Sequence, residues 1–403
     1  MRKPVLTIFY QFDPWNSTIG GIQTLICSFL KYAPDDFQLR VVGITSDPNV
    51  TLGRWHELEF NHQPVLFMPL LYIENDDIRG LIPTTLKYTS ALLGRRFASD
   101  FMHFYRLEPS LMTFNWEGDK TLFIQNDIRQ QMTAKTNDKA ILWRKFPAVY
   151  FALEQWLVGQ FDHILSCNAD SMRLYQQRYP DLADRISYFN NTVDSEVFYS
   201  VSRQERDQRR QRYAKDLGQP EETRFILFAG RLHPQKNPSL LVQSIAALDD
   251  PTVHLLIAGA GELEGEVRSL IQQLDLSSRI TLLGPVNQTG LATLHQFCSL
   301  CILTSDYEGL PFVVLEALAC GTPIVTTRCG DTPSLLTPES GVVCEDNTPI
   351  AVANAMQQVL DHPERYPAEA CVRVAQPYSA KSVIGAVYDD MLQRWQRQLV
   401  AAA

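Results

Sequence analysis

Leu300-Cys301-Ile302-Leu303-Thr304-Ser305-Asp306-Tyr307-Glu308-Gly309-Leu310-Pro311-Phe312-Val313-Val314-Leu315-Glu316-Ala317 reads as one strand, one loop and the start of one helix. Residues 300–304 are a short continuous apolar run, the pattern of a strand buried on both faces. Pro311 opens a second apolar run, as proline does at the first position of a helix. Glu308 therefore lies in the loop at a strand's carboxyl end, and Glu316 on the second turn of the helix that follows. In an open α/β sheet this is where ligands bind, because strand ends and helix N-termini converge on one crevice. With seven residues between them, the two carboxylates are each suited to accept hydrogen bonds from adjacent hydroxyls, the pattern that sugars and ribose present. The chemistry suggested is carbohydrate handling.

The same alternation extends in both directions. Further buried strands are expected at residues 224–228, 253–258, 280–283 and 324–327, and in the first half at 5–9, 39–43, 121–125, 163–167 and 186–189. Between the halves, residues 200–223 are dense in Arg, Gln and Glu and nearly free of large aliphatics, the composition of a solvated helix and linker. The expected organisation is a Rossmann-like domain over residues 1–199, a linker over 200–222, a second Rossmann-like domain over 223–378 and a terminal helix over 379–403. That helix is amphipathic, with Tyr388, Met391, Leu392 and Trp395 on recurrent faces. The fold class is α/β, with two doubly wound parallel sheets facing each other across a cleft. No internal repeat or low-complexity tract interrupts it.

A chain of 403 residues has room for two full hydrophobic cores, and 45% hydrophobic with 20% charged residues is ordinary for a globular protein. No apolar run reaches bilayer-spanning length. The opening Met1 to Tyr10 reads as a first strand and not a signal peptide, because Gln11, Asp13 and Pro14 cut its apolar run short. Eight scattered cysteines fit a reducing cytoplasm better than a disulfide framework. Cys298-x-x-Cys301 runs into a buried strand and has no second pair at zinc spacing, so its role is structural. The net charge of −9 argues against nonspecific nucleic-acid binding.

Other loops carry candidate ligands for an anion. Gly230-Arg231-Leu232-His233-Pro234-Gln235-Lys236-Asn237 follows the first strand of the second half; Arg231 offers a planar fork of donors and Lys236 a compact point charge, a pairing suited to a diphosphate. Gly20-Gly21 follows the first N-terminal strand and permits close approach of backbone N–H groups to an anion at a helix N-terminus. Gly259-Ala260-Gly261 partly resembles a dinucleotide fingerprint, but the third position is Glu264, with Gly265 one residue late, which disfavours a dehydrogenase. No Asp-x-Asp occurs, so no obligatory metal is expected. His103-Phe104-Tyr105-Arg106 and Gln125-Asn126-Asp127 fall at strand ends of the first half, where either orients an acceptor hydroxyl or a donor sugar, or is structural. Residues 140–161 are rich in aromatics and include Arg144 and Lys145, which suits either core packing or a membrane surface.

Together, Gly20-Gly21, Gly230-Arg231 with Lys236, Gly259-x-Gly, the Glu308/Glu316 pair and Ala319-Cys320-Gly321-Thr322-Pro323 resemble family 4 of the retaining glycosyltransferases, of GT-B fold. Asn190-Asn191-Thr192-Val193-Asp194 is similar to that family's Asn-Gly-Val-Asp element, with Thr192 in place of Gly. The resemblance spans nearly the whole chain and is most specific over residues 224–346. It implies a nucleotide-diphosphate sugar donor bound mainly by the C-terminal domain and a carbohydrate or lipid-linked acceptor bound mainly by the N-terminal one. It implies no cofactor beyond that co-substrate, and a last helix that crosses back to the N-terminal domain. By motif position, Arg231 and Lys236 bind the diphosphate, Glu316 the ribose, and Glu308 a hydroxyl of the transferred sugar. Gly309, Leu310, Pro311 and Phe312 supply backbone contacts, Gly21 approaches the phosphate, and the base is read by backbone near Gly284 to Val286. Attack on the donor's front face, with the leaving phosphate as base, needs no enzymic nucleophile.

Two positions depart from the family. His103-Phe104-Tyr105 stands where His-x-His is usual, and Gln125-Asn126-Asp127 where a His often precedes Asp. Arg106, Asn126 or Asp127 then substitutes for the histidine that touches the donor sugar, or activity is weakened. The competing readings are an epimerase or phosphorylase of the same fold and a noncatalytic nucleotide-sugar binder. The expected location is the cytoplasm, including the inner face of the plasma membrane.

Overall fold

The computed structural model describes residues 2–16, 20–74, 82–124 and 147–402. These residues form two compact units: one comprises 2–124, 147–190 and 380–402, and the other 191–379. The first contains β1 (Val5–Phe9), α1 (Gly21–Lys31), β2 (Gln38–Thr45), β3 (His56–Phe60), β4 (Gln63–Tyr72), α2 (Thr84–Ala91), β5 (Phe101–Phe104), β6 (Asp119–Ile124), α3 (Pro147–Val158), β7 (His163–Ser166), α4 (Ala169–Arg178) and β8 (Ile186–Tyr188). Its sheet has the order β3-β4-β2-β1-β5-β6-β7-β8, parallel throughout except for β3 against β4. Several strands were not marked by the sequence pattern, for separate reasons. β4 contains Pro64 and Pro69, which usually demote a strand. β3 is an edge strand with exposed glutamates, and β5 is four fully buried residues with a histidine among them.

The second unit contains α5 (Arg203–Asp216), β9 (Arg224–Ala229), α6 (Pro238–Ala247), β10 (Val253–Ala258), α7 (Glu264–Gln273), β11 (Ile280–Gly284), α8 (Gln288–Phe297), β12 (Leu300–Leu303), α9 (Phe312–Ala319), β13 (Ile324–Thr326), α10 (Thr332–Leu335), β14 (Gly341–Val343), α11 (Pro349–Asp361) and α12 (Ala368–Ala375). All its strands are parallel, in the order β11-β10-β9-β12-β13-β14. Numbered from β9, this is the 3-2-1-4-5-6 order of a Rossmann sheet. Ile226, Leu255, Ile257 and Leu300 pack with Leu241, Ile245 and Met356 on one face, while Leu303, Val314, Leu315 and Leu318 share a separate cluster. Each such side chain contributes about 1.5–3 kcal/mol through its removal from water.

Two expected boundaries move. The first unit ends at Asn190, not at 199: Asn191 Nδ2 donates to Leu310 O at 2.6 Å and Val193 N to Tyr378 O at 2.8 Å, which ties the following segment to the second unit. Residues 200–222 are not a free linker. Ser202 Oγ accepts from Glu205 N to cap α5, Arg206 donates to Cys320 O at 3.1 Å and Gly321 O at 3.0 Å, and Tyr213 packs against Phe225 and Phe297. One aromatic and the buried stem of an arginine anchor this helix, so a count of aliphatics missed it.

The chain's last helix, α13 (Ala380–Ala402), belongs to the first unit. Tyr388 donates to Phe29 O at 2.8 Å, Arg394 pairs with Asp119, and Trp395 lies under the Arg2 guanidinium at 4.5 Å. Arg2 in turn grips Asp100 with two hydrogen bonds of 2.7 and 2.8 Å.

Candidate functional site

In the second sheet the strand order reverses between β9 and β12, the topological switch point at which open α/β sheets bind ligands. The loops leaving these strands carry the two principal motifs. Lys236 Nζ donates to Glu308 Oε1, with side-chain exposures of 19% and 8%, so the pair is largely withdrawn from water and weakly screened. Gln235 Nε2 donates to Tyr307 O at 2.9 Å and to Glu308 Oε2 at 3.4 Å. Asp306 N donates to Gln235 O at 2.9 Å, Asn237 Nδ2 to Asp306 Oδ1 at 3.1 Å, and Thr304 Oγ1 to Lys236 O at 2.8 Å. Asn237 takes a left-handed conformation, φ 46°, while its Oδ1 accepts from Leu240 N and caps α6.

Glycines set the floor of this site. At Gly259, φ 139°, a Cβ would lie 2.0 Å from Gly230 O, and at Gly261 one would lie 2.4 Å from Leu232 O. The turn that partly resembled a dinucleotide fingerprint thus lets two loops touch. Gly330, φ 58°, was not singled out in the sequence; a Cβ there would fall 2.2 Å from Gly309 O and 2.6 Å from Glu308 O. Asp331 N donates to Gly309 O at 3.0 Å. A Gly-Asp pair between a strand end and a helix start was the available signal.

Arg231 is exposed and pairs with no carboxylate among the described residues. Gly309 and Phe312 are partly buried, and Leu310 and Pro311 buried. No side chain caps α9, so its first backbone N–H groups meet the Glu308 loop without a side-chain acceptor. Val286 is partly buried beyond β11, on the same carboxyl edge of the sheet but two strands from β9. Among the described residues no group of three or more His, Cys, Asp or Glu is placed to hold a metal.

Glu316 lies on α9 at 7% exposure, with no partner for its carboxylate among the described residues. Burial pushes its pKa up to about 8. Between the ordinary value of 4.5 and about 8, the folded chain therefore binds more protons than the unfolded one. Stability is full below the lower value and falls as pH rises through that window, by about 1.4 kcal/mol per pH unit at most. Glu316→Gln is expected to flatten this decline, as read from urea midpoints across the window. An undiminished slope in the variant would place the cost elsewhere.

In the first unit, Gly21 is exposed and opens α1, and Gly20 precedes it without a side-chain cap. Arg106 is exposed just past the carboxyl end of β5. Gln125, Asn126 and Asp127 lie outside the described residues. His103 is a core residue at 1% exposure, its ring edge-on to Phe29 and Phe123 at 4.9 and 5.0 Å. Burial pushes it down to about 3 even though Asp119 opposes the shift, so it is neutral and enclosed. Cys298 and Cys301 are buried free thiols, both pushed up chiefly by burial. The described part of the aromatic segment divides: Leu157, Val158 and Phe161 are core, whereas Trp156 is 52% exposed and stacks on Phe114 at 5.2 Å.

Two Rossmann-like units in one chain are the architecture of the GT-B class of α/β folds. Residues 209–373 match the family described as glycosyl transferases group 1. The D-inositol 3-phosphate glycosyltransferase of Corynebacterium glutamicum (strain R) is 29% identical over 220 residues, which cover 52% of this chain and 52% of that protein. The chain thus spans about half the length of the curated relatives it matches. The solved sucrose-phosphate synthase of Thermosynechococcus elongatus superposes with a TM-score of 0.77 at 19% identity, covering 100% of both chains. Anabaena HepE, solved with UDP-glucose, superposes with a TM-score of 0.71 at 16% identity, over 97% of this chain and 100% of that one. At such identities the likeness is one of fold. No helix among the described residues is long and apolar enough to cross a membrane.

Proposed function

We propose that this protein is a retaining, metal-independent glycosyltransferase that moves a sugar from a nucleotide-diphosphate sugar to a hydroxyl of a glycan, lipid-linked saccharide or similar acceptor. The observation that carries the reading is the Lys236–Glu308 pair at the switch point between β9 and β12. Arg231 and Lys236 neutralise charge that grows on the departing diphosphate, which both cations already meet once the donor is bound. Glu308 accepts from a hydroxyl of the transferred sugar, and the backbone N–H groups of Gly309, Leu310 and Phe312 complete that contact. Glu316, buried without a partner, accepts from the ribose and loses its proton as the ligand supplies donors. Val286 borders the base. The roles of Gly21, Arg106 and Asp127 rest on the family resemblance alone. No prosthetic group is required. The protein acts in the cytoplasm, and the exposed Phe114–Trp156 stack offers an apolar surface toward a membrane-borne acceptor.

The test is a thermal-shift screen against UDP, GDP, ADP and TDP, with EDTA throughout. A ligand that binds only the folded chain raises Tm, by an amount equivalent to about 2.7 kcal/mol at a hundredfold excess over Kd. HepE was solved with UDP-glucose, so UDP is the first candidate. One clear responder, lost in Glu316→Ala, is the expected result; no response to any of the four would remove the donor assignment.

A further inference from the structure

We infer that Gln235 is a positioning residue for Glu308, holding the carboxylate in place when Lys236 is drawn to the donor's phosphates. This rests on the donor reading above. Gln235 Nε2 donates both to Tyr307 O at 2.9 Å and to Glu308 Oε2 at 3.4 Å. One amide thus holds the backbone just before the glutamate and the carboxylate oxygen that Lys236 leaves free. Its own loop is fixed independently: Asp306 N donates to Gln235 O, Asn237 spans from Asp306 to the start of α6, and Thr304 Oγ1 holds Lys236 O. The placement of Gln235 therefore does not depend on the rotamer of Lys236.

The need for such a residue follows from charge. Lys236 is a point charge on a flexible stem, and a diphosphate outbids a single carboxylate for it. When the ammonium turns, Glu308, at 8% side-chain exposure, loses the one cation that the described residues give it, and a buried anion left alone is unstable. The Gln235 amide keeps one charge-assisted hydrogen bond on Oε2. Oε1, released by Lys236, is then free to accept from a sugar hydroxyl. Binding of the diphosphate thereby uncovers the acceptor atom for the sugar.

The readout is the ratio of affinities for a nucleotide sugar and its bare nucleotide, measured by calorimetry with UDP, GDP, ADP and TDP and the glucose conjugate of each. In Gln235→Ala this ratio is expected to fall roughly tenfold, the worth of one hydrogen bond to a charged group, while affinity for the bare nucleotide holds. Gln235→Glu keeps the shape but cannot donate when ionised. Its ratio is expected to be low near about pH 8 and to recover near about pH 5, where the carboxyl pair takes up a proton and donates as the amide did. A packing role would leave the Glu variant like the parent at both pH values. If the parent binds none of the pairs, the donor reading falls and this inference with it. If the parent binds and both variants keep its ratio, the Gln235 inference alone is overturned.

Discussion

Replacing Lys236 by alanine is expected to lower turnover by about 10²-fold or more, the size seen when a fixed contact to developing charge is removed. The residue has two duties. It neutralises Glu308 in the empty site, and it meets the diphosphate as the bond to the sugar breaks. Losing the first leaves Glu308 as an uncompensated carboxylate in a mostly dry loop. Glu308→Ala should cost a similar factor, because it deletes the sugar contact and leaves Lys236 without its anion. The two substitutions act on one unit, so the double variant should be little worse than either single one. Single-turnover rates with the nucleotide sugar that responds in the binding screen provide the measurement. Near-parental rates in both single variants would remove these residues from the chemistry.

Gly330→Ala is expected to be nearly as damaging, although position 330 carries no functional group. Its φ of 58° already disfavours a side chain, and the new Cβ would press on the carbonyls of Gly309 and Glu308 at 2.2 and 2.6 Å. Both carbonyls are backbone and cannot rotate away as a side chain would, so the loop itself must shift. Displacement on the scale of an ångström at Glu308 is worth about 10²-fold in rate, and the strain costs about 1–3 kcal/mol of stability. The combination to look for is a lowered Tm with a rate loss larger than the lost folded fraction explains. Parental activity in a folded Gly330→Ala would show that the loop tolerates the shift.

What the sequence revealed depended on how local each signal was. β9, β10 and β12 are uninterrupted apolar runs and were legible within a residue at each end. Glu308 and Lys236 were legible as separate candidates because each sits in a loop of polar residues after such a run. Their direct pairing was not, since it depends on β9 and β12 lying side by side in the sheet. The floor glycines at 259, 261 and 330 were opaque for the same reason: their value lies in which carbonyl they face. His103 was open to either a ligand or a structural role from the sequence, because its packing among aromatic rings depends on residues distant in the chain. The segment 200–222 misled by composition, because Arg206 anchors it through backbone carbonyls and Tyr213 through two aromatic rings, neither of which a scarcity of aliphatics reveals.

The return of α13 to the first unit imposes an order on synthesis. Residues 191–379 form a contiguous unit and can close their sheet as soon as they have left the ribosome. The first unit begins earlier but ends later. Until residue 388 emerges, the face of Phe29 and Phe37 that Tyr388 covers stays open to water. The first unit is therefore completed only after the second has been made, and in the interval its bare aromatic face is the surface a chaperone would recognise.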